Sequence, residues 1–346
     1  MNIAMAVHDM QNNALGRAFS LALATDELGH ETRVVGPSSG GLWDVLAGTA
    51  FAERCQVNPS REQLSALGDW CDAVISVKAL PDSLRTATDI GRRFGVPVVL
   101  DMDDPDLEVL RYTVHQRYRK RRLRRWRASR GVARLASTAR SLSTMVSNPM
   151  LQEMYGGVLV PHCRRPGSPR PFPDVSDTVT VGFIGTPRAH KGLNVLREAV
   201  TALAPVGFRL VVTARPPADG RTWEKWTGPT SLDEGLRLLE SLDVVVVPSL
   251  SQTYGPYQLP VKLIDAMMSG VPVVASDLGP IRWALGDAGI LVPPGSSSGL
   301  VTALSALSDP GRRMELGTAG RRRGLQMFTP EAVAVELAKL FPSVSA

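Results

Sequence analysis

Hydrophobic positions recur along this chain in two alternating patterns. Short apolar runs, such as Val244 to Val247, are typical of buried strands. Segments with apolar residues three and four positions apart, such as the one with Leu15, Phe19 and Leu23, are typical of amphipathic helices. Because strands and helices alternate through both halves of the sequence, the pattern predicts an α/β protein with parallel sheets.

The first half opens in the order of a Rossmann-like domain, with a strand, a loop that contains Gly16, a helix and a second strand. It lacks a GxGxxG pattern, which disfavours a dinucleotide cofactor. The strands predicted here are residues 2–7, 33–35, 73–77, 96–100 and 158–160, with further candidates around Leu135 and Met145. The sequence also predicts helical pieces around residues 43–54 and 61–70, helices at 81–94 and 148–155, and one helix that runs through a basic segment to Gly131.

The second half repeats the alternation after a linker. Residues 161–176 are rich in proline and arginine and show no apolar periodicity, which is typical of a linker. We therefore expect a first domain at residues 1–160, a second at 177–325, and a C-terminal helix within 326–346 that packs back on the first domain. The strands predicted in the second domain are residues 179–184, 208–212, 244–247, 273–275 and 290–292.

The charge of the chain is local. Its net charge is +6, from 39 basic and 33 acidic residues. Nine of the basic residues lie between Arg117 and Arg130, a segment without any acidic residue, and 39 − 9 = 30 basic residues remain against 33 acidic ones elsewhere. A uniformly basic nucleic-acid-binding surface is therefore not expected, and the segment predicts either an anionic membrane contact or a solvated helix.

Several protein classes are disfavoured by what the sequence lacks. No apolar run approaches the roughly 20 residues of a membrane span, and the N-terminus begins on a strand without a signal-peptide pattern. We therefore expect a cytoplasmic protein, with peripheral membrane association as the alternative. Cys55, Cys71 and Cys163 show no metal-ligand spacing, so neither a metal site nor a disulfide framework is expected.

The stretch from Val244 to Asp277 carries the clearest candidate chemistry. It reads as a strand, a polar loop, a helix from Pro260 and a second strand. Helices that begin at the carboxyl edge of a parallel sheet offer free N–H groups to anions, and Lys262 lies in the first turn. The pattern predicts a phosphate site.

Three motifs in the second half resemble those of the family 4 glycosyltransferases. They are GFIGTPRAHKGL at 182–193, PVKLIDAMMSGVPVVASDLGPIRW at 260–283 and AGILVPPGS at 288–296. The first half is similar in its opening elements and in GVPVVLDMDDPD at 95–106. The resemblance implies the GT-B fold, with two Rossmann-like domains facing each other across a cleft. It also implies a retaining enzyme with a nucleotide-diphosphate sugar as donor and no bound cofactor.

The resemblance assigns a diphosphate site to the first motif. Gly185, Lys191 and Gly192 match the glycine-rich loop and lysine of the family. Thr186 replaces the usual arginine, and Arg188 two residues later can reach the same oxygens. Positive charge at these positions suits a leaving group on which negative charge accumulates.

The second motif is expected to hold the rest of the donor. Asp265 matches the family's later acidic residue, which binds the ribose, and Lys262 and Leu263 match the P-x-K-L form that precedes it. The earlier family position, which contacts the sugar, falls on Gln252 or on Tyr257, depending on how the loop is aligned.

Two further candidates lie in the first half. Asp103 occupies the position of a family histidine that faces the sugar, and Gly16 is a candidate backbone donor to the diphosphate. Metal binding by the Asp101-x-Asp103 spacing is a minor alternative. His162 and His190 read as packing or surface histidines.

The sequence as a whole predicts a hexosyl- or N-acetylhexosaminyltransferase that acts on a hydroxyl acceptor, either a glycan, a lipid-linked compound or a natural product. The expected catalytic residues are Asp103, Lys191 and Lys262. Two alternatives stay open: a nucleotide-sugar epimerase of the same fold, and a non-catalytic basic module that binds RNA or a membrane.

Overall fold

The chain forms two compact α/β units. The structure is a computed structural model that describes residues 1–167, 177–252 and 255–341. Unit 1 comprises Met1–Cys163 and Pro330–Ala346, and unit 2 comprises Arg164–Thr329. Part of the predicted linker, residues 168–176, lies outside the described residues.

A seven-stranded parallel sheet forms the centre of unit 1 in the order β3-β2-β1-β4-β5-β6-β7. The direction of the strand order reverses between β1 and β4, and open α/β sheets bind ligands beside such a reversal. The strands are β1 (Asn2–Val7), β2 (Glu31–Gly36), β3 (Cys55–Val57), β4 (Ala73–Val77), β5 (Val98–Met102), β6 (Ser143–Val146) and β7 (Val158–Leu159).

Local sequence signals explain where the helices of unit 1 begin and end. The Asn12 side chain accepts from Ala14 N at the first helix, and Ser60 and Gln63 form a capping box at the third. Gly95, at φ 72°, ends the fourth. The helices are α1 (Asn13–Glu27), α2 (Asp44–Ala47), α3 (Arg61–Trp70), α4 (Pro81–Phe94), α5 (Asp106–Arg117), α6 (Arg122–Arg140) and α7 (Pro149–Tyr155).

Two predictions for this unit were wrong, and one strand was missed. The helical pieces expected around residues 43–54 are α2 and a 3-10 helix, Ala50–Arg54, but β3 was not predicted. Leu135 lies in α6 and not in a strand, because the buried residues Val132, Ala136 and Ala139 follow a helical spacing. The basic segment also spans the end of α5 and the start of α6, and so does not form one helix.

Unit 2 contains a six-stranded parallel sheet in the order β10-β9-β8-β11-β12-β13. Its direction reverses between β8 and β11. The strands are β8 (Val179–Phe183), β9 (Phe208–Val212), β10 (Glu224–Trp226), β11 (Val244–Val247), β12 (Val273–Ser276) and β13 (Ile290–Val292), of which β10 was not predicted. The helices are α8 (Leu193–Leu203), α9 (Leu232–Glu240), α10 (Val261–Ser269), α11 (Gly279–Leu285), α12 (Ser297–Ala306) and α13 (Pro310–Met327).

The valine run of β11 is buried on both faces of this sheet. Val244 and Val246 pack into one hydrophobic cluster with α8 and α12, whereas Val245 and Val247 pack into another with α10. Successive side chains of a strand point to opposite faces, so a strand covered on both sides needs an uninterrupted apolar run. This burial confines polar groups to the ends of the strands.

The last helix, α14 (Pro330–Leu337), belongs to unit 1, where it packs against α1. The unit boundaries lie at residues 163/164 and 329/330, close to the predicted positions 160 and 325.

A fully buried ion pair joins α1 to the sheet of unit 1. Arg17 Nη2 lies 2.8 Å from Asp101 Oδ1, and neither side chain has exposed surface. Nη2 also donates to the Val160 carbonyl at 2.7 Å, so one guanidinium connects α1, β5 and the segment after β7.

We expect Arg17→Met to lower the free energy of unfolding of unit 1 by about 3–5 kcal/mol, because it leaves the Asp101 carboxylate buried without its partner. Urea denaturation would measure the loss. Arg92→Met breaks an exposed pair with Asp89 and serves as a matched control, with an expected change within about 0.5 kcal/mol. Equal effects of the two substitutions would contradict the structural role of the buried pair.

Candidate functional site

Two lysines of unit 2 meet beside a glycine at the carboxyl edge of the sheet. Gly185 follows β8 and has a φ of 117°, which side chains rarely adopt. A Cβ placed on Gly185 would lie 4.0 Å from Lys191 Nζ and 3.9 Å from Lys262 Cγ. The structure therefore brings together Gly185, Lys191 and Lys262, which the sequence assigned to one phosphate site from two motifs about 70 positions apart.

The charge on Lys191 is not neutralised by the protein. Burial, together with repulsion from Arg188 and Lys262, lowers the pKa of Lys191 to about 8. Within the described residues, Lys191 forms no ion pair with a carboxylate. A half-buried ammonium beside two other cations gains stability when an anion enters, so this cluster has the electrostatics expected of an anion site.

The loops around these lysines are held in place by backbone contacts. Gly185 N donates to Thr213 Oγ1 at 2.7 Å, and Leu250 N donates to His190 O at 2.8 Å. Gly192 has a φ of 65°, and a Cβ on it would lie 2.0 Å from Pro248 O. Its glycine identity is thus explained by close packing between the loops after β8 and β11, whether or not its N–H also binds a ligand.

The other predicted donor residues occupy different environments. Thr186, Arg188 and Gln252 are exposed, and Tyr257 is half-buried. Residues 253 and 254 of the intervening loop lie outside the described residues, and the choice between Gln252 and Tyr257 stays open. Leu263 is fully buried in the core, so the predicted donor contact is not supported for its side chain.

Asp265 is more deeply buried than a ribose ligand is expected to be. It lies on α10 with no exposed side-chain surface, and its Oδ1 accepts from Arg164 Nε at 2.9 Å. Its Oδ2 lies 3.2 Å from Lys262 Nζ. Burial alone would raise the pKa of Asp265, but Lys262 and Arg164 outweigh it and keep the pKa below its usual value. Arg164 was not predicted as a site residue.

In unit 1, Asp103 lies in a buried charge network just after β5. Its Oδ1 lies 3.0 Å from His162 Nε2, and its Oδ2 lies 3.3 Å from Lys78 Nζ, which also pairs with Asp104. Burial opposes ionisation of Asp103, but Lys78 and His162 hold its pKa well below the usual range. Asp103 is therefore a carboxylate at neutral pH. Lys78 and His162 were missed as candidates.

Unpartnered polar atoms lie around the same network. In the described part of unit 1, four buried side-chain atoms have no hydrogen-bond partner: His8 Nδ1, Arg17 Nη1, Asp106 Oδ2 and His162 Nδ1. Burial, opposed by Lys78 and reinforced by the neighbouring aspartates, raises the pKa of Asp106 to about 7. Buried polar groups without partners are unfavourable, so these atoms mark where a hydroxylated ligand or water would be stabilised.

Gly16 lies inside the first turns of α1 and not in the preceding loop. A Cβ at Gly16 would lie 3.2 Å from the Trp43 ring, so the glycine allows this indole to pack closely against the helix. Its proposed N–H contact with a diphosphate stays a prediction.

The basic segment carries apolar side chains on its surface. Leu123 and Trp126 in α6 are 63% and 54% exposed, and Tyr112, which precedes the segment in α5, is 65% exposed. The Arg130 guanidinium lies 4.7 Å from the centre of the Trp126 ring, in a cation–π contact. No helix in the described residues is long and apolar enough to cross a membrane, and no cluster of acidic, histidine or cysteine side chains among them is suited to a metal ion.

The fold is typical of nucleotide-binding α/β proteins, and the comparison with known families identifies a narrower class of protein. Residues 178–309 match the family described as Glycosyl transferases group 1. This match covers most of unit 2 and confirms the predicted resemblance to the family 4 glycosyltransferases.

Curated relatives match over limited segments. The chain is 34% identical over 113 residues to an MMP alpha-(1->4)-mannosyltransferase of Mycolicibacterium hassiacum, covering 32% of this chain and 26% of that protein. It is 32% identical over 110 residues to a phosphatidyl-myo-inositol mannosyltransferase of Mycobacterium leprae, covering 31% and 28%. The chain spans less than a third of the length of either relative.

Solved structures match over almost the whole chain. The structure of Anabaena Alr3699/HepE in complex with UDP and glucose has a TM-score of 0.73 at 13% identity, covering 99% of this chain and 100% of that one. The structure of WaaG, a glycosyltransferase involved in lipopolysaccharide biosynthesis, has a TM-score of 0.66 at 15% identity, covering 99% and 100%. These likenesses confirm the predicted GT-B fold.

The low pKa of Lys191 predicts how anion binding depends on pH. Above pH 8 the free protein loses the Lys191 proton, so binding of UDP must restore it, and affinity should fall by up to about tenfold per pH unit. Calorimetric titration between pH 7.5 and 9.5 would measure this, since the phosphates are ionised throughout that range.

Lys191→Met is the matched control for this titration. It should bind UDP more weakly at pH 7.5 and lack the decline above pH 8. A decline that persists in the variant would assign the titration to another group.

Proposed function

We propose that this chain is a glycosyltransferase that moves a hexosyl or N-acetylhexosaminyl group from a nucleotide-diphosphate sugar to a hydroxyl acceptor. The observation that carries the proposal is the convergence of Lys191 and Lys262 on Gly185, within the region that matches the glycosyltransferase family. The UDP and UDP-glucose complexes of structurally similar proteins support this class of donor.

The chemistry of the leaving group explains why this cluster suits the reaction. When the bond between the sugar and the diphosphate breaks, negative charge accumulates on the phosphate oxygens. Lys191 and Lys262 would stabilise that charge, and the positive φ of Gly185 leaves room for the phosphates to approach the backbone. Removal of one such donor typically costs about 10²–10³ in kcat.

Retention of configuration is part of the proposal and rests on the family resemblance alone. The similar proteins include a D-inositol 3-phosphate glycosyltransferase and a phosphatidyl-myo-inositol mannosyltransferase. Both names contain a polyol, which supports a polyol acceptor. In unit 1, the ionised Asp103 and the unpartnered atoms of Asp106 and His162 would bind hydroxyl groups.

Donor turnover tests the enzymatic function. We expect one member of a panel of UDP-, GDP- and TDP-sugars to raise the thermal midpoint of the protein and to be hydrolysed slowly without an acceptor. Lys191→Ala should lower this turnover by about 10²–10³, because the variant loses a cation at the leaving group.

The control for this experiment is Lys225→Ala. Lys225 is an exposed residue of β10, and its removal should leave turnover within about twofold of the wild type. If no donor in the panel binds or turns over, the enzymatic proposal fails.

We also propose that the basic segment attaches the protein to an anionic lipid surface. Nine basic residues accompany Leu123 and Trp126, both largely exposed on α6. Lysine and arginine attract acidic headgroups, and tryptophan prefers the boundary between the headgroups and the acyl chains.

Co-sedimentation with phosphatidylserine-containing liposomes tests this attachment. Gln substitution of the exposed residues Arg122, Arg124 and Arg127 should weaken binding about a hundredfold, at about 1 kcal/mol per charge, and salt should weaken wild-type binding steeply. The matched control substitutes three exposed arginines of α4, namely Arg85, Arg92 and Arg93. Salt-independent binding, or equal losses in both variants, would contradict the proposal.

A further inference from the structure

A chain of three charged side chains runs through the interior of unit 2 to the anion site. Arg164 Nε donates to Asp265 Oδ1 at 2.9 Å, and Asp265 Oδ2 lies 3.2 Å from Lys262 Nζ. Arg164 is 10% exposed, Asp265 is 0% exposed and Lys262 is 27% exposed. Exposure thus increases from the buried carboxylate to the ammonium that reaches the surface.

Arg164 and Lys262, at the two ends of this series of charged side chains, are both held in place by neighbouring elements. The backbone N–H of Arg164 donates to Phe328 O at 2.9 Å, next to the C-terminal end of α13. Asp265 and Lys262 are three positions apart on α10, on the same side of the helix. The aliphatic stem of Lys262 passes Gly185, at 3.9 Å from a Cβ position built there. Lys262 therefore lies between a fixed carboxylate and the predicted phosphate position.

This geometry separates Asp265 from the ribose role that the family resemblance gives it. A carboxylate that binds a ribose diol needs an oxygen that the hydroxyls can reach. Oδ1 of Asp265 accepts from Arg164, whereas Oδ2 has no hydrogen bond within the described residues and lies at ion-pair distance from Lys262. The side chain has no exposed surface.

We propose that Asp265, held by Arg164, is a positioning residue that fixes the Lys262 ammonium for the diphosphate. It thereby contributes to the phosphate end of the donor site and makes no contact with the ribose. This inference rests on the proposed nucleotide-sugar site and deepens it.

Electrostatics explain why Lys262 needs such a partner. Arg188 and Lys262 both lie close enough to Lys191 to lower its pKa, so the cations of this cluster repel one another. A lysine on a flexible four-carbon stem would turn towards solvent under that repulsion. The Asp265 carboxylate attracts the ammonium inwards, while Arg164 balances the buried negative charge.

Binding of inorganic pyrophosphate tests the proposal, because this probe has phosphates and no ribose. Calorimetric titrations would compare the wild type with Asp265→Asn, Lys262→Met and the double variant. We expect about a tenfold loss for Asp265→Asn and a similar or larger loss for Lys262→Met. The double variant should match Lys262→Met, since Asp265 acts only through that side chain.

The second measurement uses whichever of UDP and GDP binds the wild type more tightly. If Asp265 acts on the phosphates, Asp265→Asn should reduce nucleotide and pyrophosphate affinity by the same factor. Unchanged pyrophosphate affinity with weaker nucleotide binding would assign Asp265 to the ribose and overturn the proposal. Tighter pyrophosphate binding would show that the carboxylate repels the anion, and would overturn it as well.

Two controls separate this effect from a loss of folding. Asp243→Asn removes a mostly buried carboxylate at the opposite end of β11, where it accepts from Thr180 N and lies near Arg313, and should leave pyrophosphate affinity unchanged. Arg164→Lys keeps the charge of the buried pair and should cost about threefold. If Asp265→Asn does not fold, Arg164→Lys becomes the test of the inference. Unchanged pyrophosphate affinity in Arg164→Lys would then overturn it.

Failure of the inference is distinct from failure of the proposed function. If wild-type protein binds neither pyrophosphate nor a nucleoside diphosphate, the donor site itself is refuted. If wild-type protein binds both and the substitutions at 265 and 164 change nothing, only the positioning role is refuted.

Discussion

Burial of both faces of each parallel sheet is the constraint on which the rest of this structure depends. The strands carry continuous apolar runs because helices cover them on both sides, as the alternate valines of β11 show. Charged groups are therefore placed where strands end. The Lys191 and Lys262 cluster follows β8 and β11, and the Asp103 network follows β5, so the candidate chemistry of each unit lies at the carboxyl edge of its sheet.

The two units differ in how the charge of a lysine at the edge of the sheet is compensated. In unit 1, Lys78 is paired with Asp103 and Asp104, and these partners raise its pKa well above the usual value despite burial. In unit 2, burial and the nearby cations Arg188 and Lys262 lower the pKa of Lys191 to about 8. In the first arrangement the buried ammonium already has carboxylate partners within its own unit. The second is stabilised when an anion arrives, which is the property expected of a substrate site.

Much of the fold and part of the candidate site could be predicted from the sequence. The strands of both central sheets follow from apolar runs, and Lys191 and Lys262 follow from local motifs. The short edge strands β3 and β10 were missed because neither carries an apolar run. Arg164 was missed because its partner, Asp265, is 101 positions away, and no local pattern pairs them. Lys78 and Arg17 did leave a signal, since each is a lone charge among buried apolar neighbours.

The path of the chain through the two units has a consequence for biosynthesis. Unit 2 is inserted between Cys163 and Pro330, and α14 packs against α1 from the other end of the sequence. During translation, α1 and the seven-stranded sheet emerge long before the helix that covers them. The inserted unit can complete its own core first, whereas the N-terminal unit must wait with an apolar surface of α1 uncovered. Its folding is thus coupled to the synthesis of α14, and the interval before that helix emerges is when a chaperone has the most apolar surface to bind.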